Sequence, residues 1–169
     1  MTEDELERCI ALYRKMVWSA ALCYVKNPAD ADDVVQDVFL KLYTYGGRFD
    51  NDEHIKAWLL KCAVNRSKNI LRSHWYRFSQ PLEAADNKEY FDDKDSGVIE
   101  LPELFKKISP KNRIALYLHY IEGYSVEETA RLLNISKSAA GVRLMRGRKQ
   151  LEKLIADERG NGNELQKDC

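Results

Sequence analysis

The stretch of residues 125–155, SVEETARLLNISKSAAGVRLMRGRKQLEKLI, constrains the fold more than any other part of the chain. It predicts a capped helix, a tight turn and a second, strongly basic helix, which together make a helix-turn-helix. Ser125 and Glu128 stand at the spacing of a capping box. Asn134 tolerates the left-handed backbone of the turn, and the small Ala130 lets the two helices approach closely. This motif indicates DNA as a binding partner.

Helical periodicity divides the second helix of the motif into two faces. The apolar stripe that we expect to lie against the core consists of Ala140, Leu144, Gly147, Leu151, Leu154 and Ile155. The residues that we expect at the major groove are Lys137, Ser138, Gly141, Val142, Arg143, Met145, Arg146, Arg148 and Lys149. Cations neutralise phosphates or donate to guanine, and valine and methionine contact thymine methyl groups. The alternative interpretation is a solvated basic helix on an all-helical core.

Composition narrows the class of protein. With 44% apolar and 32% charged residues, the 169-residue chain is ordinary for a soluble globular protein of one or two small domains. No apolar run approaches the ~20 residues of a membrane helix, and no signal peptide precedes the acidic start MTEDELE. We therefore expect a cytoplasmic protein without direct membrane insertion.

The spacing of the cysteines does not match that of metal ligands. We expect core thiols at Cys9, Cys23 and Cys62, a free tail thiol at Cys169, and neither a metal nor another cofactor.

The formal net charge of zero conceals a segregation of charge along the chain. Residues 1–76 carry 11 acidic and 11 basic residues, whereas residues 101–156 carry five acidic and 11 basic ones. Residues 77–100 carry seven acidic and three basic residues and show no apolar periodicity, which predicts a flexible acidic linker. Such a linker is either a solvated tether or a mimic of nucleic acid that lies against basic protein surface.

The remaining pattern is helical, with no alternation typical of strands, and predicts an all-α fold. We expect two small helical domains, residues 1–76 and 101–156, and a disordered tail over residues 157–169. The predicted helices cover residues 3–26, 29–45, 54–76, 101–108, 110–122, 125–133 and 137–156. Pro28 and Pro110 suit first-turn positions, and Gly46 with Gly47 stops the second helix.

The segment HIKAWLLKCAVNRSKNILRSHWYR, residues 54–77, predicts a helix with two distinct faces. The core face consists of Ile55, Trp58, Leu59, Cys62, Ala63 and Ile70. The other face, with its edges, consists of Lys61, Asn65, Lys68, Asn69, Arg72, Trp75 and Tyr76. Cations, amides and aromatic rings on one face suit single-stranded nucleic acid, because they contact phosphates, base edges and base planes respectively. An equal alternative is a solvated face whose aromatic rings are half buried.

The segment DADDVVQDVFLKLY, residues 30–43, predicts an amphipathic helix. It buries Val34, Val35, Val38, Phe39 and Leu42. It leaves Asp32, Asp33, Gln36, Asp37, Leu40 and Lys41 facing outward. No histidine, nucleophile or third acid stands where it would complete a catalytic or Mg²⁺ site. The outward face therefore fits docking to a partner protein, or simply solvent.

The order of these motifs resembles the extracytoplasmic-function group of bacterial sigma-70-type RNA polymerase sigma factors. DADDVVQDVFLKLY is similar to region 2.2, IKAWLLKCAVNRSKNILR to regions 2.3 and 2.4, and residues 101–154 to region 4. The resemblance covers nearly the whole chain apart from the linker and the tail. It implies a protein that is not an enzyme, binds core RNA polymerase and directs transcription initiation at specific promoters.

The resemblance also implies roles for individual residues. Those expected to contact the clamp helices of the largest polymerase subunit are Asp33, Gln36, Asp37, Leu40 and Lys41. Those expected to contact the melted −10 element and hold a flipped base are Phe49, Lys61, Asn65, Lys68, Asn69, Arg72, Trp75 and Tyr76. The second helix of the helix-turn-helix would enter the −35 major groove, while other surfaces of that domain meet the flap of the second-largest subunit. The resemblance also implies an anti-sigma protein that restrains this chain. The chain would lie in the cytoplasm, associated with the nucleoid, or be held at the membrane by that partner.

This chain departs from the family pattern at the entry to the recognition helix. Where the family often has outward polar residues, this chain has Gly141 and Val142, which predicts fewer direct hydrogen bonds to bases and more reliance on methyl contacts and duplex shape. Residues 77–100 stand where larger sigma factors have a further domain. In the family that this chain resembles, this linker commonly runs through the polymerase active-site channel, and that path is a hypothesis for residues 77–100.

Two other classes of function compete with this interpretation. A free-standing helix-turn-helix regulator binds DNA without polymerase, but it needs neither the nucleic-acid face of residues 54–77 nor the outward face of residues 30–43. A nuclease or related enzyme lacks a plausible constellation, because His54, His74 and His119 are scattered.

Overall fold

The computed structural model describes residues 1–25, 27–77 and 103–164, and it describes no side chains for residues 74–77 and 161–164. The chain divides into two compact units, Met1–Glu100 and Leu101–Cys169. Every regular element among the described residues is a helix, which confirms the prediction of an all-α fold with two helical domains. The predicted acidic linker beyond Arg77 lies outside the described residues.

The first unit consists of three long helices, α1 (Glu3–Val25), α2 (Pro28–Thr44) and α3 (Asp52–Arg77), and each packs against the other two. Their shared core includes Val17, Ala20, Ala21, Val34, Leu42, Leu59, Leu60, Ala63 and Val64. Pro28 lies in the first turn of α2, as predicted, and the Asn27 side chain accepts the N–H of Ala29 there. Cys9 and Cys23 are buried thiols, as expected.

The buried stripe of α3 differs from the predicted one. Leu60 and Val64 are fully buried, whereas the predicted core residues Trp58, Cys62 and Ile70 are only half-buried. The physical reason is that α3 contacts both α1 and α2, so its buried stripe follows the groove between two helices. Periodicity alone locates a stripe but not its centre when two neighbours share it.

The second unit contains the helix-turn-helix. Its elements are α4 (Glu103–Lys106), α5 (Pro110–Leu116) with a π-helical turn (Tyr117–Ile121), α6 (Val126–Leu133) and α7 (Lys137–Glu164). The single helix predicted over 110–122 therefore changes its geometry after Leu116. Helix α7 continues beyond its predicted end at residue 156 into the segment predicted as a disordered tail. Ala156, Glu158 and Arg159 favour helix, and a solvated helix end needs no buried face.

The cap and the turn have the predicted conformations. The Ser125 hydroxyl accepts the N–H of Glu128 at 3.1 Å, and the Glu128 carboxylate accepts the N–H of Ser125 at 2.8 Å. That backbone hydrogen bond lowers the pKa of Glu128, because it stabilises the carboxylate. Asn134 adopts the left-handed region, with φ of 54°. The capping box defines the start of α6, and the left-handed Asn134 ends this helix at the turn into α7.

A buried arginine joins α5 to the end of α4. The Arg113 guanidinium is fully buried and donates to the carbonyl oxygens of Lys106 and Ile108, at 3.1 Å and 2.6 Å. Carbonyl groups at a helix C-terminus carry partial negative charge and lack partners within the helix. Arg113 therefore has a structural role and is not available to DNA.

Candidate functional site

The recognition face of α7 is open to solvent. Its exposed residues are Lys137, Ser138, Val142, Met145, Arg146, Arg148 and Lys149, and Gly141 and Arg143 are partly exposed. Ala140, Leu144 and Gly147 are buried on the opposite side, as the periodicity predicts. One face of one helix thus brings together every residue predicted to contact the −35 element. Their contact with DNA stays a prediction.

A close helix crossing holds this face outward. A Cβ atom at Gly147 would lie 2.9 Å from Cγ and Cδ1 of Leu116, which is buried in α5. Only glycine leaves room for the buried Leu116 side chain against the backbone of α7 at this position. By contrast, nothing lies within 4 Å of a Cβ atom built at Gly141. The two glycines of α7 therefore differ, because Gly147 fixes the packing while Gly141 leaves room in front of the recognition face.

Apolar side chains lie in the middle of this basic face. Val142 is 39% exposed and Met145 is 42% exposed. Neither donates a strong hydrogen bond, and both suit contact with thymine methyl groups. The geometry is consistent with the predicted reliance on methyl contacts and duplex shape.

Lys137 at the start of α7 is paired within the unit. Its Nζ donates to the Glu127 carboxylate at 2.7 Å. This hydrogen bond lowers the pKa of Glu127, because the neighbouring cation stabilises the carboxylate. A phosphate that binds Lys137 would compete with Glu127 for the same ammonium.

In the first unit, α3 presents the predicted polar row. Lys61, Asn65, Asn69 and Arg72 are exposed, and Lys68 is half-buried. Trp75 and Tyr76 belong to the same helix, but their side chains lie outside the described residues. The structure thus places cations and amides along one side of α3, the side opposite its buried stripe.

An aromatic cluster lies where the α2–α3 loop meets this helix. The ring of Phe49 is 5.1 Å from that of Tyr45, 5.7 Å from that of Trp58 and 5.3 Å from that of His54. Tyr45 and Trp58 are themselves 5.1 Å apart. The family resemblance implied Phe49 as a site residue, in a loop of residues 48–54 that ends at His54. Sequence reasoning missed Tyr45 and assigned Trp58 to the core. The only sequence signal was the concentration of aromatic residues around the loop.

The position of the Tyr45 ring depends on Gly47, two residues later in the chain. A Cβ atom at Gly47 would lie 2.5 Å from Cε1, Cζ and the hydroxyl oxygen of Tyr45, so the ring lies across the glycine backbone. The backbone N–H of His54 donates to the Asn51 side chain at 2.8 Å in the first turn of α3. The loop is therefore held by the cluster at one end and by this hydrogen bond at the other.

The predicted docking face of α2 is exposed throughout. Asp33, Gln36, Asp37, Leu40 and Lys41 are all accessible, and Leu40 is the most exposed large apolar residue among the described ones, at 64%. Single exposed leucines are common on protein surfaces, so docking to a partner at this face stays a prediction.

Two of these docking residues already have partners on α3. The Asp37 carboxylate accepts a hydrogen bond from the Arg66 guanidinium. The Lys41 ammonium lies 5.8 Å from the centre of the Trp58 ring. Burial raises the pKa of the nearby Cys62 thiol, and the charge of Lys41 opposes that rise. The docking face and the nucleic-acid face of this unit are therefore connected by side-chain contacts.

Within residues 1–25, 27–77 and 103–164, no group of three or more acidic, histidine or cysteine side chains is placed to hold a metal ion. None of the helices in this part of the chain combines the length and the apolar character needed to cross a membrane.

The fold and these faces define an all-helical protein whose exposed basic and polar surfaces suit nucleic acid. Comparison with family models identifies Sigma-70 region 2 over residues 9–77 and Sigma-70, region 4 over residues 99–151. The chain belongs to the extracytoplasmic-function group of sigma-70-type RNA polymerase sigma factors, which direct promoter-specific transcription initiation.

Two relatives agree with this assignment. The RNA polymerase sigma factor CarQ of Myxococcus xanthus is 28% identical over 159 residues, which cover 92% of this chain and 91% of CarQ. The ECF RNA polymerase sigma-E factor of Escherichia coli K12 is 27% identical over 161 residues, covering 86% and 84%.

Two solved structures share the fold. The sigma factor RpoE from Bartonella quintana, in complex with the anti-sigma factor NepR, has a TM-score of 0.70 at 19% identity, with 90% of this chain and 97% of that chain covered. CnrH, in complex with the cytosolic domain of CnrY, has a TM-score of 0.61 at 22% identity, covering 92% and 90%.

Proposed function

We propose that this chain binds core RNA polymerase in the cytoplasm, directs it to promoters with matching −10 and −35 elements, and has no catalytic activity of its own. One observation carries this proposal. The same chain combines a helix-turn-helix with an open recognition face and a separate helical unit with a docking face centred on Leu40. A free-standing regulator needs only the first of these features.

We assign recognition of the −35 duplex to α7. An α-helix fits the major groove, and the exposed face of α7 carries Arg143, Arg146 and Lys149 as partners for phosphates or guanine. Val142 and Met145 would contact thymine methyl groups. Substituting Val142→Asp brings a carboxylate among phosphates and should abolish −35 binding, whereas the nearly isosteric Val142→Thr should retain it. Unchanged promoter affinity of the aspartate variant would refute this placement.

We assign the melted −10 element to α3 and the loop before it. The exposed Lys61, Asn65, Asn69 and Arg72 would follow the single-stranded backbone, as cations and amides do in such grooves. The aromatic cluster at Phe49 offers ring surface against which an extruded base can stack. Extruding a base costs a few kcal/mol, and this cost is smallest once the strands have separated, so a fitted pocket adds selectivity as melting proceeds.

We assign contact with the clamp helices of the largest polymerase subunit to α2. Leu40 would supply the buried apolar contact that dominates many interfaces, and Asp33 and Gln36 would surround it with polar contacts. The second unit would meet the flap of the second-largest subunit through surfaces other than the recognition face. The linker of residues 77–100 would occupy the active-site channel.

We also propose an anti-sigma protein as a regulatory partner. RpoE was solved with its anti-sigma factor, and this chain shares that fold. Such a partner would restrain the chain by covering the docking face or the recognition face, and a membrane-bound partner would hold it at the membrane.

The test is run-off transcription on a genomic library, with core polymerase from the native host and with or without this chain. New discrete starts that share a −10 and a −35 element are expected, and they would supply the consensus. Duplex binding by the chain alone, without new starts, would favour a free-standing regulator. The Val142→Asp variant serves as the control, because it should lose those starts while it still binds polymerase.

A further inference from the structure

Tyr120 and Arg148 form a pair at the edge of the recognition face. Tyr120 belongs to the π-helical turn that follows α5, and its hydroxyl oxygen accepts a hydrogen bond from Nη1 of Arg148 at 2.7 Å. Both residues are exposed, and Tyr120 is 55% exposed although its ring is large. The sequence pattern predicted a role for Arg148 but none for Tyr120.

The ring of Tyr120 is held in a defined orientation. His119 packs against it edge-on at 4.8 Å, with 78° between the rings. The Nδ1 of His119 lies 2.6 Å from the carbonyl oxygen of Tyr124, and it donates there because a carbonyl can only accept. Tyr124 directly precedes Ser125, the N-cap of α6. The Tyr120 ring is therefore linked to the start of α6 through the His119 ring and the backbone of Tyr124.

The π-helical turn contributes to this arrangement. A π-helical turn carries one more residue than an α-helical turn between hydrogen-bonded partners, and such turns occur often at functional sites. Here it coincides with the residues Tyr117–Ile121, so the ring of Tyr120 extends toward α7. The carboxylate of Glu122, which would repel an anion, accepts a hydrogen bond from the Tyr117 hydroxyl at 2.6 Å.

The chemistry of the pair suits a phosphate group. Because Arg148 donates to the phenol oxygen, the phenol proton can be donated to a further acceptor. The guanidinium keeps its other N–H groups and its positive charge, in a planar arrangement that matches phosphate oxygens. A hydroxyl donor and a guanidinium therefore lie side by side on exposed surface.

We propose that Tyr120 and Arg148 together bind one phosphodiester of the DNA backbone that flanks the recognition groove. This inference rests on the proposed function, because the ligand is a phosphate of the −35 duplex. Arg148 lies on the rim of the face formed by Val142 and Met145, and Tyr120 extends that rim with a side chain from outside α7. Tyr120 acts here as a positioning residue for Arg148 as well as a donor.

A phosphate site predicts a specific pattern of effects. Phosphate contacts fix the position of the protein on the duplex without reading sequence. Tyr120→Phe should therefore weaken binding by about three- to tenfold, equally on all promoters that share the consensus. Arg148→Ala should also lower the slope of log K against log salt by about 0.9, the value for one phosphate contact.

The loss in Tyr120→Phe has a second physical cause. Without the hydroxyl, the Arg148 guanidinium can pair with the carboxylate of Glu152, four residues later on α7. Adding Glu152→Gln to Tyr120→Phe removes this competing carboxylate and should recover part of the lost affinity. Glu152→Gln alone is the control, because removal of a negative charge near DNA strengthens binding in any background. A purely structural role of Tyr120 predicts the same gain in both backgrounds, whereas the phosphate site predicts a larger gain beside Tyr120→Phe.

The experiment measures the binding of reconstituted holoenzyme to promoter duplexes, each with one phosphate around the −35 element replaced by a neutral methylphosphonate. Wild-type holoenzyme should lose affinity at several phosphates. Tyr120→Phe and Arg148→Ala should become less sensitive to replacement of one phosphate, the same phosphate in both, and the loss of sensitivity should be larger in Arg148→Ala because it removes the charge. Far-UV circular dichroism shows that each variant is folded. Ile121→Ala, the adjacent exposed apolar residue, is the matched control and should keep every sensitivity.

The outcomes separate this inference from the function on which it rests. Wild-type affinity of Tyr120→Phe, or wild-type sensitivity of that variant at every phosphate, would overturn the phosphate site while leaving promoter-specific initiation intact. Weaker polymerase binding by both Tyr120→Phe and Ile121→Ala, with unchanged phosphate sensitivity of the holoenzyme assembled at saturating chain, would overturn it in favour of a protein contact. A wild-type holoenzyme without specific starts would overturn both proposals.

Discussion

The two units present their candidate surfaces in different ways. In the second unit, Gly147 packs against Leu116 on one side of α7, and Val142 and Met145 lie exposed on the other. The recognition-face residues that contact other elements, Lys137 and Arg148, lie at the start of α7 and at the rim of that face. In the first unit, residues of the docking face contact the neighbouring helix, as Asp37 does with Arg66 and Lys41 does with Trp58.

The two units therefore differ in which existing side-chain contacts must break when a partner binds. In the second unit, DNA can contact Val142 and Met145 without disturbing the packing beneath them, and the contacts that DNA could displace are those of Lys137 and Arg148. In the first unit, a partner that binds Asp37 must either replace Arg66 or include it. Exposed ion pairs contribute only about 0–1 kcal/mol, so such an exchange costs little. The docking face can therefore be ordered before binding and still be available.

Leu60→Ala should have the largest effect on the first unit. Leu60 is fully buried, and removal of its side chain leaves a cavity that costs about 2–5 kcal/mol of unfolding free energy. The measurement is urea denaturation followed by tryptophan fluorescence, which reports this unit alone, because all three tryptophans, Trp18, Trp58 and Trp75, lie in it. The matched control is Leu40→Ala, which should change stability by less than about 0.5 kcal/mol. Equal losses would contradict the assignment of Leu40 to a surface.

Gly147→Ala should destabilise the second unit by about 1–3 kcal/mol, because the added methyl group overlaps Leu116 in a packed core. Gly141→Ala should instead stabilise the helix by up to about 1 kcal/mol, because its Cβ meets no atom. Thermal unfolding followed by far-UV circular dichroism compares the two variants, while tryptophan fluorescence should stay unchanged in both. Similar effects at both glycines would show that the two faces of α7 are not distinct.

Ser125→Ala should lower the unfolding free energy of the second unit by about 1 kcal/mol, because it removes the side-chain cap of α6.

Glu128, the acidic residue of this capping box, adds a pH dependence to the stability. The pKa of Glu128 is lowered from its ordinary value of 4.5 on folding, so its contribution is complete above that value and is lost as the pH falls through the folded pKa. Wild type should therefore be more stable than Glu128→Gln at pH 7, and the difference should shrink below about pH 4. A difference that grows with acidity would contradict this.

The Asp37–Arg66 pair should show the smallest effect. A double-mutant cycle with Asp37→Asn and Arg66→Gln should give a coupling below about 1 kcal/mol, since both side chains are half-exposed. The coupling should decrease with added salt. A coupling of several kcal/mol would mean that the docking face is locked by its own contacts, and the comparison between the two units would fail.

The sequence allowed the helix-turn-helix to be predicted in detail, because its signals are local. The capping box at Ser125, the left-handed Asn134 and the two faces of α7 depend on residues that are close in sequence. The all-α class followed from periodicity in the same way. Local signals do not show which residues of a helix are buried when two neighbouring helices pack against it. Leu60 and Val64 were therefore not predicted as core residues.

Contacts between distant residues account for the other misses. Tyr45 joins Phe49 and Trp58 only because the chain turns back at Gly47, and Tyr120 reaches Arg148 across 28 positions. In the sequence, Arg113 is one of the 11 basic residues of residues 101–156. In the structure, its guanidinium is buried against the carbonyl groups of Lys106 and Ile108 and is therefore not part of the basic surface. Charge and aromaticity in a sequence identify candidates for a site, but only packing decides which of them are available.

The most direct test of the central claim separates the two surfaces by charge substitution at Leu40 and Val142. Binding of labelled chain to core polymerase and protection of a −35 duplex by the assembled holoenzyme are measured for Leu40→Asp, for Val142→Asp and for the exposed control Leu12→Asp. We expect Leu40→Asp to lose polymerase affinity by tenfold or more, the effect of about 1.4 kcal/mol at an interface centre. We expect Val142→Asp to bind polymerase normally and lose −35 protection, and Leu12→Asp to retain both. Normal holoenzyme assembly by Leu40→Asp, or normal −35 protection by Val142→Asp, would contradict the account.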